Sequence, residues 1–80
     1  MARRENLRKW LLEALKANNG SASIVKVCRH VWQNHENELR RSGDLFFTWQ
    51  YDIRWTATRL RKEGIMRAVD LSPKGTWELV

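Results

Sequence analysis

Basic and hydroxyl-bearing side chains cluster on one side of a helix predicted for residues about 49–63. When these residues are placed at about 100° each around a helix axis, Trp49, Ile53 and Leu60 share one side. The opposite side and its flanks carry Tyr51, Arg54, Thr58, Arg59, Arg61 and Lys62. An arginine fork matches the O6 and N7 acceptors of guanine, and other cations bind phosphates. This side of the helix is therefore suited to binding double-stranded DNA.

The positions of these side chains predict different contacts with DNA. Arg54 and Thr58 are expected to contact base edges, with Lys62 one turn further along the helix. The expected phosphate contacts are Arg59, Arg61, Arg67 and Lys74. Tyr51 either donates its hydroxyl group to a phosphate or covers the edge of the core. The competing interpretation is that these cations are ordinary solvated charges, but their clustering beside a turn with a further lysine favours DNA.

Trp55 lies on the same side as the cations and has two interpretations. It either contacts the DNA backbone or packs against residues 45–47 or the C-terminal hairpin as part of an extended core. An indole left in water would expose a large apolar surface, so we expect Trp55 to be buried. The other tryptophans are also expected in the core: Trp10, Trp32, Trp49 and Trp77.

Two earlier amphipathic segments are predicted to support this helix. Apolar residues recur at helical spacing over residues 6–18, and an Asn-Asn-Gly stop follows them. Leu12 is the one clear exception and is expected to be exposed. A second apolar stripe covers residues 24–35, after serines that can cap a helix. The second helix is expected to fade near Asn37, within a polar stretch at 36–43 that is predicted to form a loop.

Short apolar segments on either side of the third helix are predicted to be strands. Residues 45–47 form an apolar run that is expected to pair with later strands, and Thr48 is expected to cap the third helix. Residues 65–69 and 76–79 are predicted to pair as a hairpin. The sequence Ser-Pro-Lys-Gly at 72–75 fits a type I turn between them.

The order helix, helix, short strand, helix, hairpin is that of an α+β winged helix-turn-helix. In this fold the third helix enters the major groove. The β-hairpin, here about 65–79, forms a wing along the DNA backbone. No linker or repeat divides the sequence, so residues 1–80 are predicted to form a single winged-helix DNA-binding domain with three helices and a small antiparallel hairpin.

The composition favours an anionic partner. The 80 residues include 15 lysines and arginines against 9 aspartates and glutamates, which gives a formal net charge of +6. Such an excess is typical of domains that bind nucleic acid. Cys28 is the only cysteine, so no internal disulfide can form and the cytoplasm is the expected location. No apolar run reaches the roughly 20 residues that span a bilayer, so no membrane partner is expected.

An enzymatic function is not predicted. Cys28, His30 and His35 suggest a metal site, but on a helix His30 points away from the face that the other two share. Glu36 and Glu38 lie in a polar segment, where solvated carboxylates are expected. The sequence has no glycine-rich phosphate loop and no Ser/His/Asp arrangement with a positioned base. We therefore expect no catalytic residue, no metal and no cofactor.

Three short motifs in the C-terminal part of the chain resemble a known family. They are Asp-Ile-Arg-Trp-Thr-Ala at 52–57, Leu-Arg-Lys-Glu-Gly-Ile at 60–65 and Gly-Thr-Trp at 75–77. They resemble the N-terminal winged-helix domain of Mrr-type restriction proteins, while the earlier part of the chain shares only a generic helix pattern. The resemblance implies a DNA-binding winged helix, usually attached to an effector domain. Because the sequence ends at Val80, the family's endonuclease activity is not expected.

A protein-interaction module is the alternative function. Winged helices also bind proteins, and Tyr51 and Trp55 belong to the residue types enriched at interaction hot spots. Self-association as a homodimer through the first helix, with Leu12 as a contact, is compatible with either function. Within the DNA-binding prediction, the domain acts as a small regulator or as the targeting module of a fused or separate effector protein.

Overall fold

The computed structural model describes residues 2–80, which form three helices and a two-stranded antiparallel sheet. The chain runs through helix α1 (Arg4–Ala17), strand β1 (Ser21–Ser23), helix α2 (Ile24–Arg40) and helix α3 (Leu45–Lys62). A short 3-10 helix (Val69–Leu71) and strand β2 (Thr76–Glu78) follow. The predicted α+β class with three helices is confirmed, whereas the strands differ from the prediction.

The core lies between the three helices, each of which has one apolar face at helical spacing. The fully buried side chains include Leu7, Leu11, Leu15, Val27, Val31, Leu39, Ile53 and Leu60. Trp10, Trp49 and Trp77 are buried as predicted, and Trp32 is partly buried against the core. Leu12 was expected to be exposed, but it is also partly buried there.

The sheet pairs the segment between α1 and α2 with the C-terminal segment. Ala22 of β1 lies opposite Trp77 of β2, and both side chains are buried. The prediction assigned the serines around Ala22 only to helix capping. Ser23 does cap α2, because its Oγ accepts a hydrogen bond from the Lys26 amide (3.1 Å). A three-residue strand is too short to show periodicity, so β1 could not be recognised from its residues alone.

The predicted hairpin forms only in part, because residues 65–69 are not a strand. Met66 makes a single antiparallel bridge with Leu79. The Arg67 amide donates to the Glu78 carbonyl (2.9 Å), which fixes the path of the chain after α3. The wing expected from the sequence is therefore a short, irregular segment beside β2.

The reason for this difference lies in the residues that follow Met66. Val69 and Leu71 are exposed, so the segment has no buried face that would favour a strand, and it forms the 3-10 helix instead. The following turn is one residue later than predicted. The Thr76 amide donates to the Pro73 carbonyl (3.0 Å), and Gly75 adopts a φ of 75° that favours glycine.

Helix α3 begins at Leu45, so the prediction of a strand at 45–47 was wrong. Leu45 and Trp49 are both buried and lie one helical turn apart, which places Leu45 on the core side of the helix, whereas Phe47 is exposed. Thr48 lies inside the helix and does not cap it. Its hydroxyl group donates to the Asp52 carboxylate (2.8 Å).

Helix α2 continues to Arg40 and so includes the first part of the polar stretch at 36–43 that was predicted to form a loop. Leu39 is completely buried and anchors the last turn, while Arg40 donates to the Glu36 carboxylate four residues earlier (2.7 Å). The helix is kinked at His35, whose φ of -131° and ψ of 20° are not helical.

Candidate nucleic-acid interface

Helix α3 presents most of the predicted DNA-binding residues on its outer side. Tyr51, Arg54, Arg59 and Lys62 are exposed, whereas Thr58 and Arg61 are half-buried. The opposite side is fixed against the core by Trp49, Ile53, Ala57 and Leu60. Because packing against the core fixes the rotation of the helix, these six side chains are held on one surface rather than distributed around the helix.

The other two predicted residues lie outside α3. Arg67 is exposed and is positioned by the hydrogen bond of its amide with Glu78. Lys74 is exposed in the turn before β2, next to Gly75, whose carbonyl accepts from the Ile24 amide (2.9 Å). This turn is therefore attached to the beginning of α2 and is not the free tip of a long wing.

Arg54 extends toward α2 and lines a groove of about 610 Å³ between the two helices. Arg29 lines the same groove, whose apolar part includes Cys28 and Trp32. Burial raises the pKa of the Cys28 thiol, and the nearby charge of Arg54 partly opposes this rise. Arg29 was not predicted to belong to the site. Its position off the apolar stripe of α2 was the available signal, but its proximity to Arg54 depends on how the helices pack.

A ridge of three aromatic side chains runs along the outer side of α3. Phe47, Tyr51 and Trp55 are 82%, 64% and 55% exposed, and they follow one another at intervals of four residues. The Tyr51 and Trp55 rings meet edge to face with centroids 6.2 Å apart. The prediction that Trp55 is buried was wrong. Residues 45–47, which were expected to cover it, belong to the same helix, and the irregular segment after Met66 forms no full wing.

A second groove, of about 830 Å³, lies between the N-terminal half of α1 and α3. Tyr51, Trp55 and Arg59 line it from α3. The α1 side contributes Arg3, Arg4 and Arg8. The sequence did not predict this groove, because the contact between α1 and α3 joins residues that are far apart in the chain.

Two ion pairs hold the α1 arginines in this groove. Arg8 donates two hydrogen bonds to the Glu63 carboxylate (2.7 and 2.9 Å). This contact raises the pKa of Arg8 and lowers the pKa of Glu63. The Arg4 Nε atom lies 3.5 Å from the carboxylate of Asp52, which is buried. Both arginines are therefore oriented by carboxylates of α3 and its C-terminal end.

The outer cations of α3 are in a different situation. Among residues 2–80, Arg54, Arg59 and Lys62 form no salt bridge. The arginines that do form one with a carboxylate there are in the pairs Arg3–Glu5, Arg4–Asp52, Arg8–Glu63 and Arg40–Glu36. Arg61 also forms no salt bridge there, and its Nε atom is buried without a hydrogen-bond partner among the described residues. Cations in the last turn of a helix also stabilise its C-terminal end. That effect accounts for Arg59, Arg61 and Lys62 in part, but not for Arg54 in the middle of the helix.

The α1–α2 side of the domain carries a cluster of acidic and histidine side chains. The Glu13 carboxylate accepts hydrogen bonds from His30 (3.4 Å) and His35 (3.1 Å), and His35 also contacts Glu38 (3.0 Å). His30 was expected to point away from His35, but both rings reach the same oxygen of Glu13. Within the described part of the chain, no group of three or more His, Cys, Asp or Glu side chains is arranged to hold a metal ion.

Across residues 2–80, none of the helices combines the length and the apolar character that crossing a bilayer requires.

Comparisons of the chain with protein-family models, with curated proteins and with solved structures gave no significant match. A functional assignment therefore depends on the fold and the surface described above.

Proposed function

We propose that this domain binds double-stranded DNA through the outer side of α3. The observation that carries the proposal is the set of exposed cations Arg54, Arg59 and Lys62, which form no salt bridge among residues 2–80. A cation without a carboxylate partner can neutralise a DNA phosphate and release a counterion, which is the main source of affinity for DNA. The net charge of +6 supports the same partner.

In this proposal the fold is a winged helix-turn-helix. Helices α2 and α3, joined by a turn at 41–44, form the helix-turn-helix, and α3 enters the major groove. The segment at 66–79 serves as a reduced wing along the backbone. The Mrr-type resemblance of the motifs at 52–57 and 60–65 supports this assignment, because those motifs lie on α3 and its C-terminal end.

Each side chain has a role in the proposed complex. Arg54 and Thr58 contact base edges, and the Thr58 hydroxyl, which donates to the Arg54 carbonyl (3.2 Å), remains free to accept a hydrogen bond. The phosphate contacts are Tyr51, Arg59, Arg61, Lys62, Arg67 and Lys74, with Arg29 added from the groove beside Arg54.

The salt dependence of duplex binding tests this proposal. Contact with about four to six phosphates predicts a slope of about −4 to −5 in a plot of log affinity against log salt concentration. Fluorescence anisotropy of a labelled duplex at several salt concentrations measures the slope. A slope near zero, or no binding at low salt, would contradict the proposal.

Two single variants separate base contacts from phosphate contacts. Arg54→Ala should cost about 1–3 kcal/mol on a preferred sequence and less on other sequences. Lys74→Ala should weaken binding to all sequences alike and make the salt slope shallower by about 1. If both variants lose the same affinity on every sequence, Arg54 does not read bases.

A protein-docking module is the second candidate function, and the exposed ridge of Phe47, Tyr51 and Trp55 is the observation that favours it. Tryptophan and tyrosine are enriched at interaction hot spots. Binding through such a surface buries apolar area and responds little to salt, in contrast to DNA binding. The same salt titration, carried out with a candidate protein partner, therefore distinguishes the two functions.

The wider context follows from the DNA-binding proposal. The domain acts as a non-enzymatic regulator or as a targeting module for a fused or separate effector protein. The cytoplasm is the proposed location, since the reducing conditions there keep Cys28 as a free thiol. A homodimer is compatible with this role, because pairs of DNA-binding domains read two half-sites.

A further inference from the structure

The groove between α1 and α3 contains one exposed aromatic side chain, Trp55, that has no role in the proposed binding of an intact duplex. Trp55 and Tyr51 are more than half exposed and line this groove beside Arg59. In a duplex, the faces of the bases are stacked on one another and are not available to an indole ring. Unpaired bases do stack on aromatic side chains, and such stacking is the main mode of binding single strands.

We infer that this groove binds an unpaired nucleotide adjacent to the duplex, with its base stacked on Trp55 and its phosphate beside Arg59 and Arg4. The inference rests on the proposed DNA binding and specifies the form of DNA, namely a duplex that continues into a single strand. Arg54 lies toward the groove with α2 and Trp55 toward the groove with α1, so a strand that leaves the duplex crosses the outer side of α3 to reach Trp55.

The charges in the groove match a single phosphodiester. Its lining includes four arginines and three carboxylates, which leaves a surplus of one positive charge. Arg59 forms no salt bridge among residues 2–80 and supplies that surplus. A phosphodiester carries one negative charge, so it neutralises the groove without displacing the existing ion pairs.

Arg4 is held in position while its charge remains accessible. Its Nε atom lies 3.5 Å from Asp52, whose side chain is 8% exposed and also accepts from Thr48. The Arg4 side chain itself is 81% exposed. A buried carboxylate thus lies beside the guanidinium group at the edge of the groove, and the exposed N–H groups of Arg4 are available to a phosphate.

Other occupants fit these observations less well. A second copy of the chain would bring its own Arg54, Arg59 and Lys62 against the same cations, and like charges in contact repel. A protein segment must supply an acidic group and a planar apolar group from separate side chains. A nucleotide carries both within one unit, at the separation fixed by its sugar.

Fluorescence anisotropy with two labelled duplexes tests the inference. One duplex is blunt, and the other has the same paired sequence with a short single-stranded overhang at one end. The intact protein should bind the overhang duplex about tenfold more tightly, since one stacked base contributes an effect of this order. Both overhang polarities are measured, because a single strand can enter the groove in either direction.

Variants of two exposed aromatic residues provide the matched comparison. Trp55→Ala should remove the preference for the overhang and leave the affinity for the blunt duplex unchanged, and Trp55→Phe should retain part of the preference. Phe47→Ala removes a more exposed ring from the same helix that does not line this groove, and it should leave the preference intact. Circular dichroism confirms that each variant is folded.

The outcomes separate this inference from the proposed function. Equal affinity of the intact protein for both duplexes overturns the inference and leaves the DNA-binding proposal in place. The inference is also overturned if Trp55→Ala lowers the affinity for both duplexes by the same factor, or if it changes neither affinity. An unchanged affinity for both duplexes favours a protein partner at Trp55. Failure to bind either duplex at low salt overturns both the inference and the proposed function.

Discussion

The α1–α2 side of the domain and the outer side of α3 use charged groups in opposite ways. On the first side, Glu13 accepts hydrogen bonds from His30 and His35, and His35 also contacts Glu38. On the second side, the cations of α3 form no salt bridge among residues 2–80. Charges that are paired within the domain stabilise the fold, whereas unpaired charges are available to a partner.

Substitutions in the two regions should affect different measured quantities. Substitutions on the α1–α2 side should change the free energy of unfolding and leave DNA affinity unchanged. Substitutions on the outer side of α3 should change DNA affinity and have only a small effect on the free energy of unfolding.

The largest effect is expected for Arg54→Gln combined with Lys62→Gln. Loss of one base contact and one phosphate contact should weaken duplex binding about a hundredfold at moderate salt. The free energy of unfolding should change by about 0.5 kcal/mol or less, because both side chains are exposed. Anisotropy and urea unfolding measure the two quantities.

The matched control for this variant is Lys9→Gln combined with Lys16→Gln. These exposed lysines lie on the outer side of α1, and their substitution removes the same two charges from the protein. The control should lose only the small affinity that follows from net charge. Equal losses of affinity in the two double variants would show that net charge, and not the surface of α3, determines binding.

His35→Ala should destabilise the fold by about 2 kcal/mol. The ring is stacked on Trp10 at a centroid distance of 4.0 Å, and its removal leaves Glu13 and Glu38 without their shared donor. Urea unfolding measures the loss. His30→Ala, which breaks only the longer contact with Glu13, should cost less. A loss of duplex affinity in folded His35→Ala would contradict the division between the two regions.

A smaller change in the free energy of unfolding is expected when the pH is lowered. Burial would raise the pKa of Glu13, but the hydrogen bonds with His35 and His30 together lower it, and Arg8 lowers the pKa of Glu63. A carboxylate whose pKa is lower in the folded state than in the unfolded state stabilises the fold when the pH is above its unfolded pKa. This contribution is lost as the pH falls through its folded pKa. The free energy of unfolding should therefore decrease as the pH falls below 4.5, the ordinary pKa of a glutamate.

Urea unfolding at a series of pH values between about 6 and about 3 measures this decrease. In the double variant Glu13→Gln, Glu63→Gln, the free energy of unfolding should depend less steeply on pH, because neither side chain then titrates. A curve with the same slope in the double variant would show that other carboxylates are responsible.

The smallest effect is expected for Glu36→Gln, which removes the ion pair with Arg40 on the surface of α2. Such a pair between residues four apart contributes about 0.3–0.5 kcal/mol. Urea unfolding at low salt should detect a loss of this size, and duplex affinity should not change. A loss greater than about 1 kcal/mol would mean that this pair is more than a surface contact.

The sequence predicted the long helices better than the short elements. The apolar stripes of α1 and α2 and the core tryptophans Trp10, Trp49 and Trp77 were identified, because periodicity over several turns is a strong signal. The strand β1 and the beginning of α3 at Leu45 were missed. A run of three residues fits a helix or a strand equally well, and only packing against the rest of the chain distinguishes them.

The surface of α3 was predicted in part. The exposure of Arg54, Arg59 and Lys62 follows from their positions opposite the apolar stripe. The exposure of Trp55 was missed, because the residues expected to cover it are part of the same helix. The positions of Arg29 and Arg4 beside α3 depend on contacts between helices, which local sequence patterns do not specify.

The most direct test of the central claim is an NMR titration of the isotopically labelled domain with a mixed-sequence DNA duplex. The account predicts amide shifts at 51–62 and 67–75 that appear at low salt and fade as salt is added. The amides around Glu13 and His35 should not shift. No shifts at low salt, or shifts centred on the Glu13–His35 cluster, would contradict the claim that the unpaired cations of α3 form a DNA-binding surface.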